Sequence, residues 1–145
     1  MKKYPSMSSY PAECERFQAN IARVSDFEIE DLPLITKDCL DNKIELLIAR
    51  IPTDNIRLAQ VLESKGYRLM DTLCWWKIDL TKKTTPEDTV TNVTFRSANK
   101  NDSDKVANVA RKTFENYVGH YHSDPRLNKH ACTEAYADWT KRLVE

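Results

Sequence analysis

Apolar and polar positions alternate loosely through Ile21-Ala-Arg-Val24 and Phe27-Glu-Ile29, so residues 20–29 read as a strand. Asp31 stands where a helix would be capped, with Pro33 in the first turn, where a missing N–H does no harm. Leu32, Ile35, Cys39 and Leu40 then follow at helical spacing. Ile44–Ile51 is a short apolar run of the kind expected for a strand covered on both faces, and Pro52 stops it. Thr53 or Asp54 is placed to cap a second helix with a stripe of Ile56, Ala59 and Leu62, and Gly66 ends it. Tyr67–Leu80, with Trp75 and Trp76 near its middle, reads as a long strand with one tryptophan buried on each side. The order β-α-β-α-β predicts a largely parallel sheet with helical crossovers over residues 1–82, of which 1–19 read as an irregular lead-in.

Residues 83–90 are polar, contain Pro86 and break every periodicity, which makes them a linker. In the second unit, 91–145, Asn92–Arg96 reads as a strand. Asn101 or Asp102 caps a helix with the stripe Val106, Ala110, Phe114 and Tyr117, ended by Gly119. After a loop, Asn128 caps a last helix with Cys132, Ala135, Tyr136, Trp139 and Leu143 on one face. One strand and two amphipathic helices display more apolar face than they can cover. Val106, Phe114, Tyr117, Tyr136 and Trp139 therefore need a sheet from the first unit, from another chain or from further sequence.

Composition narrows the functions available. The chain has 145 residues, 41% hydrophobic and 30% charged, a soluble globular balance. No apolar run approaches the ~18 residues that span a bilayer, and the lysines at the N-terminus lack an apolar stretch behind them. Membrane and export are excluded as expectations, and the cytoplasm is the default. Zero net charge, 22 basic against 22 acidic residues, with no Lys/Arg block, argues against a nucleic-acid surface. Cys14, Cys39, Cys74 and Cys132 lie far apart without a CxxC pair, and read as reduced, mostly buried thiols. The two glycines, Gly66 and Gly119, cannot build a GxGxxG turn, a phosphate loop or a nucleophile elbow.

His120, His122 and Asp124 spell H-x-H-x-D, the opening of a binuclear metallohydrolase signature. A zinc site needs at least three protein ligands with fixed surroundings, and only His130 is left as a third imidazole. The string reads instead as a structured loop, with Asp124 capping a turn that Pro125 fixes, and no metal ligand is assigned. Asp71/Asp79 and Glu134/Asp138 have the look of carboxylate dyads, but solvated surface is the commoner meaning of such pairs. No catalytic triad can be assigned from spacing.

Taken together, these pieces resemble a known family. Ile51–Thr72, with Leu62-Glu-x-x-Gly66-Tyr67 running into Asp71-Thr72, is similar to the leader unit of bacterial sugar-amine N-acetyltransferases of the GNAT superfamily, of the dTDP-fucosamine acetyltransferase type. Val93–Asn99 resembles the first strand of the catalytic domain. Thr113-Phe114 through His122-x-Asp-Pro-Arg-Leu127, and Tyr136-x-x-Trp139, resemble its first two helices and the loop between them. The likeness covers residues 20–143. It implies a mixed α/β fold: a βαβαβ leader followed by the opening of an acyl-CoA N-acyltransferase fold, incomplete. The implied activity is acetyl transfer from acetyl-CoA to an amine, such as that of a nucleotide-linked amino sugar. By the same resemblance Tyr121, His122, Asp124 and Arg126 line the substrate side, and Arg126 offers a fork to a phosphate or carboxylate.

The family's [Q/R]-x-x-G-x-[G/A] pyrophosphate loop and its later tyrosine have no counterpart in this sequence. The expectation is therefore an N-terminal portion, inactive alone, with no cofactor-binding residue of its own and no catalytic residue assigned. Acetyl-CoA would enter as co-substrate once a C-terminal part is supplied. The alternative is a non-catalytic module derived from that family. A homodimer or a complementing C-terminal segment would cover its open faces.

Overall fold

The computed structural model describes residues 6–82 and 92–144. At its centre lies β2 (Ile21–Ser25), whose Ile21, Ala22 and Val24 are almost wholly removed from solvent. The strand pairs antiparallel with β1 (Ser6–Ser9), Met7 opposite Val24. On its other edge it pairs parallel with β3 (Leu46–Arg50), Ile21 opposite Leu46. The sheet order is β1-β2-β3. The parallel pair is joined by α2 (Leu32–Asp41), as a helical crossover requires. Asp31 acts one turn earlier than the sequence suggests. Its carboxylate accepts from the Glu28 N–H at 2.9 Å, closing a capping box on a 3-10 turn that leads into the helix.

The β3 strand feeds α3 (Ile56–Ser64), whose cap is Asn55, accepting from the Leu58 N–H at 3.1 Å. Gly66 stops this helix as expected, at a φ of +89° that side chains resist, and the Tyr67 N–H reaches back to the Leu62 carbonyl at 3.1 Å. Against the sheet, α2 and α3 bury Val24, Phe27, Leu32, Ile35, Leu58 and Leu62 in one cluster.

The second group of elements is a helix pair, α4 (Ser103–Phe114) and α5 (Lys129–Arg142). A 3-10 turn at Lys100–Asp102 leads into α4, with Asn99 and Asp102 closing a capping box and Arg96 forking onto Asp102 at 2.6 and 2.7 Å. Asn128 caps α5, accepting from the Ala131 N–H at 3.1 Å. Ala107, Ala110 and Ala137 form the buried contact between the two helices, with Phe114 packed against it. Small side chains allow close approach and send the larger ones to the rim.

The chain is thus mixed α/β, with three strands and five α-helices among the described residues. Several expectations are corrected. Residues expected to be irregular form β1 and α1 (Pro11–Phe17), because the first strand finds an open edge of β2 and Pro11 starts a helix. Tyr67–Leu80 forms no strand, nor does Asn92–Arg96, and Trp75, Trp76 and Phe95 are 88%, 94% and 83% exposed. Their residue types favour extended chain, but a strand exists only where another backbone answers its hydrogen bonds. Trp139 lies on the exposed side of α5. The linker expected at 83–90 lies outside the described residues.

Candidate functional site

The loop 119–128 holds the four residues that the resemblance assigns to a substrate, and the structure seats it between β2, α1 and α5. Gly119 does not end α4, which stops at Phe114. It is needed later: a Cβ there would stand 2.4 Å from Tyr117 Cε1 and 3.0 Å from Tyr136 Oη. This close approach lets the loop fold over an aromatic cluster. Phe114 stacks on Tyr136 at 4.0 Å between centroids, Tyr117 meets both edge-on, and the His122 ring lies parallel to Tyr136 at 5.9 Å.

Tyr121 is 5% exposed and faces inward. Its hydroxyl donates to Glu13 Oε1 at 2.5 Å, and Arg23 donates to both Glu13 and the tyrosine oxygen. The Arg23 guanidinium also lies over the Tyr10 ring, 4.5 Å from its centroid. Burial, followed by the hydrogen bond to Glu13, pushes the Tyr121 phenol well above its ordinary range, so it stays protonated. Glu13 Oε2 and Arg23 Nε are buried without a hydrogen-bond partner among the described residues.

His120 packs on the Tyr121 ring at 4.0 Å, with Nδ1 4.0 Å from Asp71 Oδ2. Burial and the nearby Arg23 charge lower its pKa. His122 is lowered as well, by burial and then by Lys129. Its Nε2 stands 3.5 Å from Thr133 Oγ1, and its Nδ1 is buried without a partner among the described residues. Both rings are neutral at pH 7 and able to accept a proton. The half-buried Tyr136 is pushed up to about 12, by its partial burial and then by the neighbouring Tyr117.

Asp124 is 4% exposed, and both of its oxygens are engaged by Arg126. The Arg126 Nε donates to Oδ1 at 2.9 Å and Nη2 to Oδ2 at 2.6 Å, while the Arg126 N–H also bonds Oδ1 at 3.0 Å. The Asp124 carboxyl is held below the usual carboxylate range, chiefly by Arg126. The expected fork of Arg126 is therefore closed on its own neighbour, although the side chain is largely exposed.

The structure thus divides the four loop residues: Tyr121 turns inward onto Glu13 and Arg23, His122 packs on Tyr136 beside Thr133, and Asp124 and Arg126 pair with each other. Glu13, Arg23, Asp71 and His120 join them and were not singled out as site residues from sequence. Arg23 carried a signal: a cation inside the apolar strand Ile21–Ser25 demands a buried partner. Glu13 carried none. Glu134 and Asp138, expected on a solvated face, instead pin α5 to Arg111 of α4 and to Arg16 of α1. Among the described residues no group of three or more His, Cys, Asp or Glu is gathered to hold a metal ion. No helix among them is long and apolar enough to cross a membrane. Comparison with family models, curated proteins and solved structures finds no match.

Proposed function

We propose that this chain is the acceptor-side, N-terminal portion of a cytoplasmic GNAT-type N-acetyltransferase, acting on the amine of a small molecule such as a nucleotide-linked amino sugar. The observation that carries this reading is a helix pair and a strand-type segment left without a sheet. The α4 and α5 helices meet through three buried alanines and the Phe114–Tyr136 stack, while Val93, Phe95, Val109, Val118, Trp139 and Leu143 remain exposed. In the complete fold that segment and those helices would lie on the central sheet.

In this reading the loop 119–128 borders the acceptor, and the neutral rings of His120 and His122 offer acceptors for the proton the amine must lose. The amine nitrogen would attack the thioester carbonyl of acetyl-CoA, forming the C–N bond as the C–S bond breaks and the thiolate departs. The donors for the oxyanion and the thiolate, and the pyrophosphate loop, must come from outside this sequence. The chain alone is accordingly expected not to bind acetyl-CoA. Calorimetric titration should give no heat above dilution, and the same chain extended by its downstream reading frame should bind. Micromolar binding by the chain alone, or downstream sequence without a [Q/R]-x-x-G-x-[G/A] segment, would overturn the reading. A second reading, a non-catalytic module of the same descent, draws on the exposed apolar run Leu69–Leu80.

A further inference from the structure

We propose that Tyr67–Leu80 pairs antiparallel with the same segment of a second copy of this chain, about a two-fold axis at Cys74. This pairing requires nothing of the acetyltransferase reading. Between Gly66 and Thr81 there is no glycine or proline, and residues 68–78 make no backbone-to-backbone hydrogen bond among the described residues. Leu69, Leu73, Trp75, Trp76, Ile78 and Leu80 are all exposed. A run of this composition with open backbone groups is a template for strand addition.

Charge complementarity supports a second copy as the occupant, and the register centred on Cys74 pairs the two charges nearest the middle of the run. Asp71 and Lys77 stand three residues to either side of Cys74. In an antiparallel pair centred on Cys74, Asp71 of each copy falls opposite Lys77 of the other, so the complementary pair forms twice. Met70 then faces Ile78 and Leu73 faces Trp75, one apolar pair on each surface of the ribbon, while Thr72 faces Trp76 and Leu69 faces Asp79 towards its ends. Parallel, in-register pairing sets Asp71 on Asp71 and Lys77 on Lys77, which is unfavourable. Sliding the antiparallel pair by two residues one way opposes Asp71 to Asp79, and the other way opposes it to Trp75. Sliding by one residue opposes Asp71 to Ile78, or opposes it to Trp76 with Arg68 on Asp79. The latter keeps one charged pair but sets Lys77 on Met70 and takes Cys74 off the two-fold axis, so cross-linking through Cys74 separates the two registers. Asp71 is one-third exposed and its carboxylate lies 4.0 Å from His120 Nδ1, too far for a hydrogen bond, which leaves it available for this contact. A pairing of two identical segments also places the two Cys74 residues face to face, at the Cα separation of about 4.5–5.5 Å that a disulfide accepts.

Sedimentation of the whole chain, with oxidised glutathione added in a parallel sample as oxidant, tests the proposal. A dimer is expected, cross-linked through Cys74, and Cys74→Ser should abolish the cross-link while leaving the dimer. Asp71→Lys alone and Lys77→Asp alone should each raise the dimer dissociation constant about tenfold or more. The double exchange Asp71→Lys/Lys77→Asp should restore it, because complementarity returns with the signs reversed. All these positions are exposed, so circular dichroism should show each variant folded. A monomer at every concentration, a dimer that never cross-links through Cys74, or a double exchange that fails to rescue would each overturn the proposal.

Discussion

In the N-terminal half, Val24, Phe27, Leu32, Ile35, Leu58 and Leu62 close around one another beneath a sheet, whereas the buried apolar contact between α4 and α5 consists of Ala107, Ala110 and Ala137. The sheet is a broad surface onto which two helices can lay branched and aromatic side chains. Two helices alone meet along a line, so alanines occupy the line and the large residues are left at its margins. Polar pairs compensate in part: Arg111 with Glu134 ties α4 to α5, and Arg16 with Asp138 ties α1 to α5. The first half is therefore held by a core of branched and aromatic side chains, and the second by a narrow alanine contact, an aromatic cluster at its rim and ion pairs between helices.

That contrast is most directly broken by core truncation. Leu58→Ala, at a wholly buried position, should cost about 3 kcal/mol in urea unfolding, whereas Ala110→Gly in the helix pair should cost about 1 kcal/mol. Equal costs would show that the halves do not differ in this way. Next in size is the seam between them. Arg23→Met leaves the largely buried Glu13 carboxylate without its cation and should cost about 2–3 kcal/mol, whereas Tyr121→Phe should cost about 1 kcal/mol. Both should speed amide exchange in residues 119–128 more than in β2.

A smaller effect should follow pH. The pKa values of His120 and His122 lie below those of the unfolded chain, chiefly through burial, so the unfolded state takes up protons first as the solution is acidified. Their contribution to stability is complete above about pH 6.5 and is lost as pH falls through the lowered folded values. The melting temperature should therefore drop between neutral pH and pH about 5, and the drop should be shallower in His120→Gln. The smallest change belongs to the solvent-exposed pair Lys37–Asp41 on α2, where Lys37→Ala should leave the melting temperature unmoved.

The elements legible in advance were those announced by local signals. The positive φ of Gly66, the cap at Asn128 and the apolar run that became β3 each depend on a few adjacent residues. Caps at Asn55 and at the Glu28–Asp31 box differed from expectation by a residue or a turn, since neighbouring polar side chains compete for the same N–H groups. Gly119 was misread as a helix stop because a close approach between rings leaves no mark on spacing.

The site was legible only as a loop. His122, Asp124 and Arg126 cluster within the chain, and Asp124 with Arg126 is a contact two residues apart. The partners of Tyr121 are not of that kind, since Arg23 lies 98 positions away and Glu13 lies 108 positions away. No periodicity links such residues. They meet because α1 carries Glu13 beside Arg23 of β2, and α5 docks on α1 through Asp138 and Arg16, which brings the loop before α5 onto the same pair.

By itself, the sequence determined the mixture of helices and strands and the parallel crossover from β2 through α2 to β3. These follow from side-chain period, proline and glycine, which act within a turn or two. Tertiary structure decided which extended segments became strands and which polar groups left solvent together. Tyr67–Leu80 has the composition of a strand yet pairs with no strand among the described residues, while Ser6–Ser9 has little of it and is paired with β2. A strand is a relation between two backbones, and composition describes only one of them.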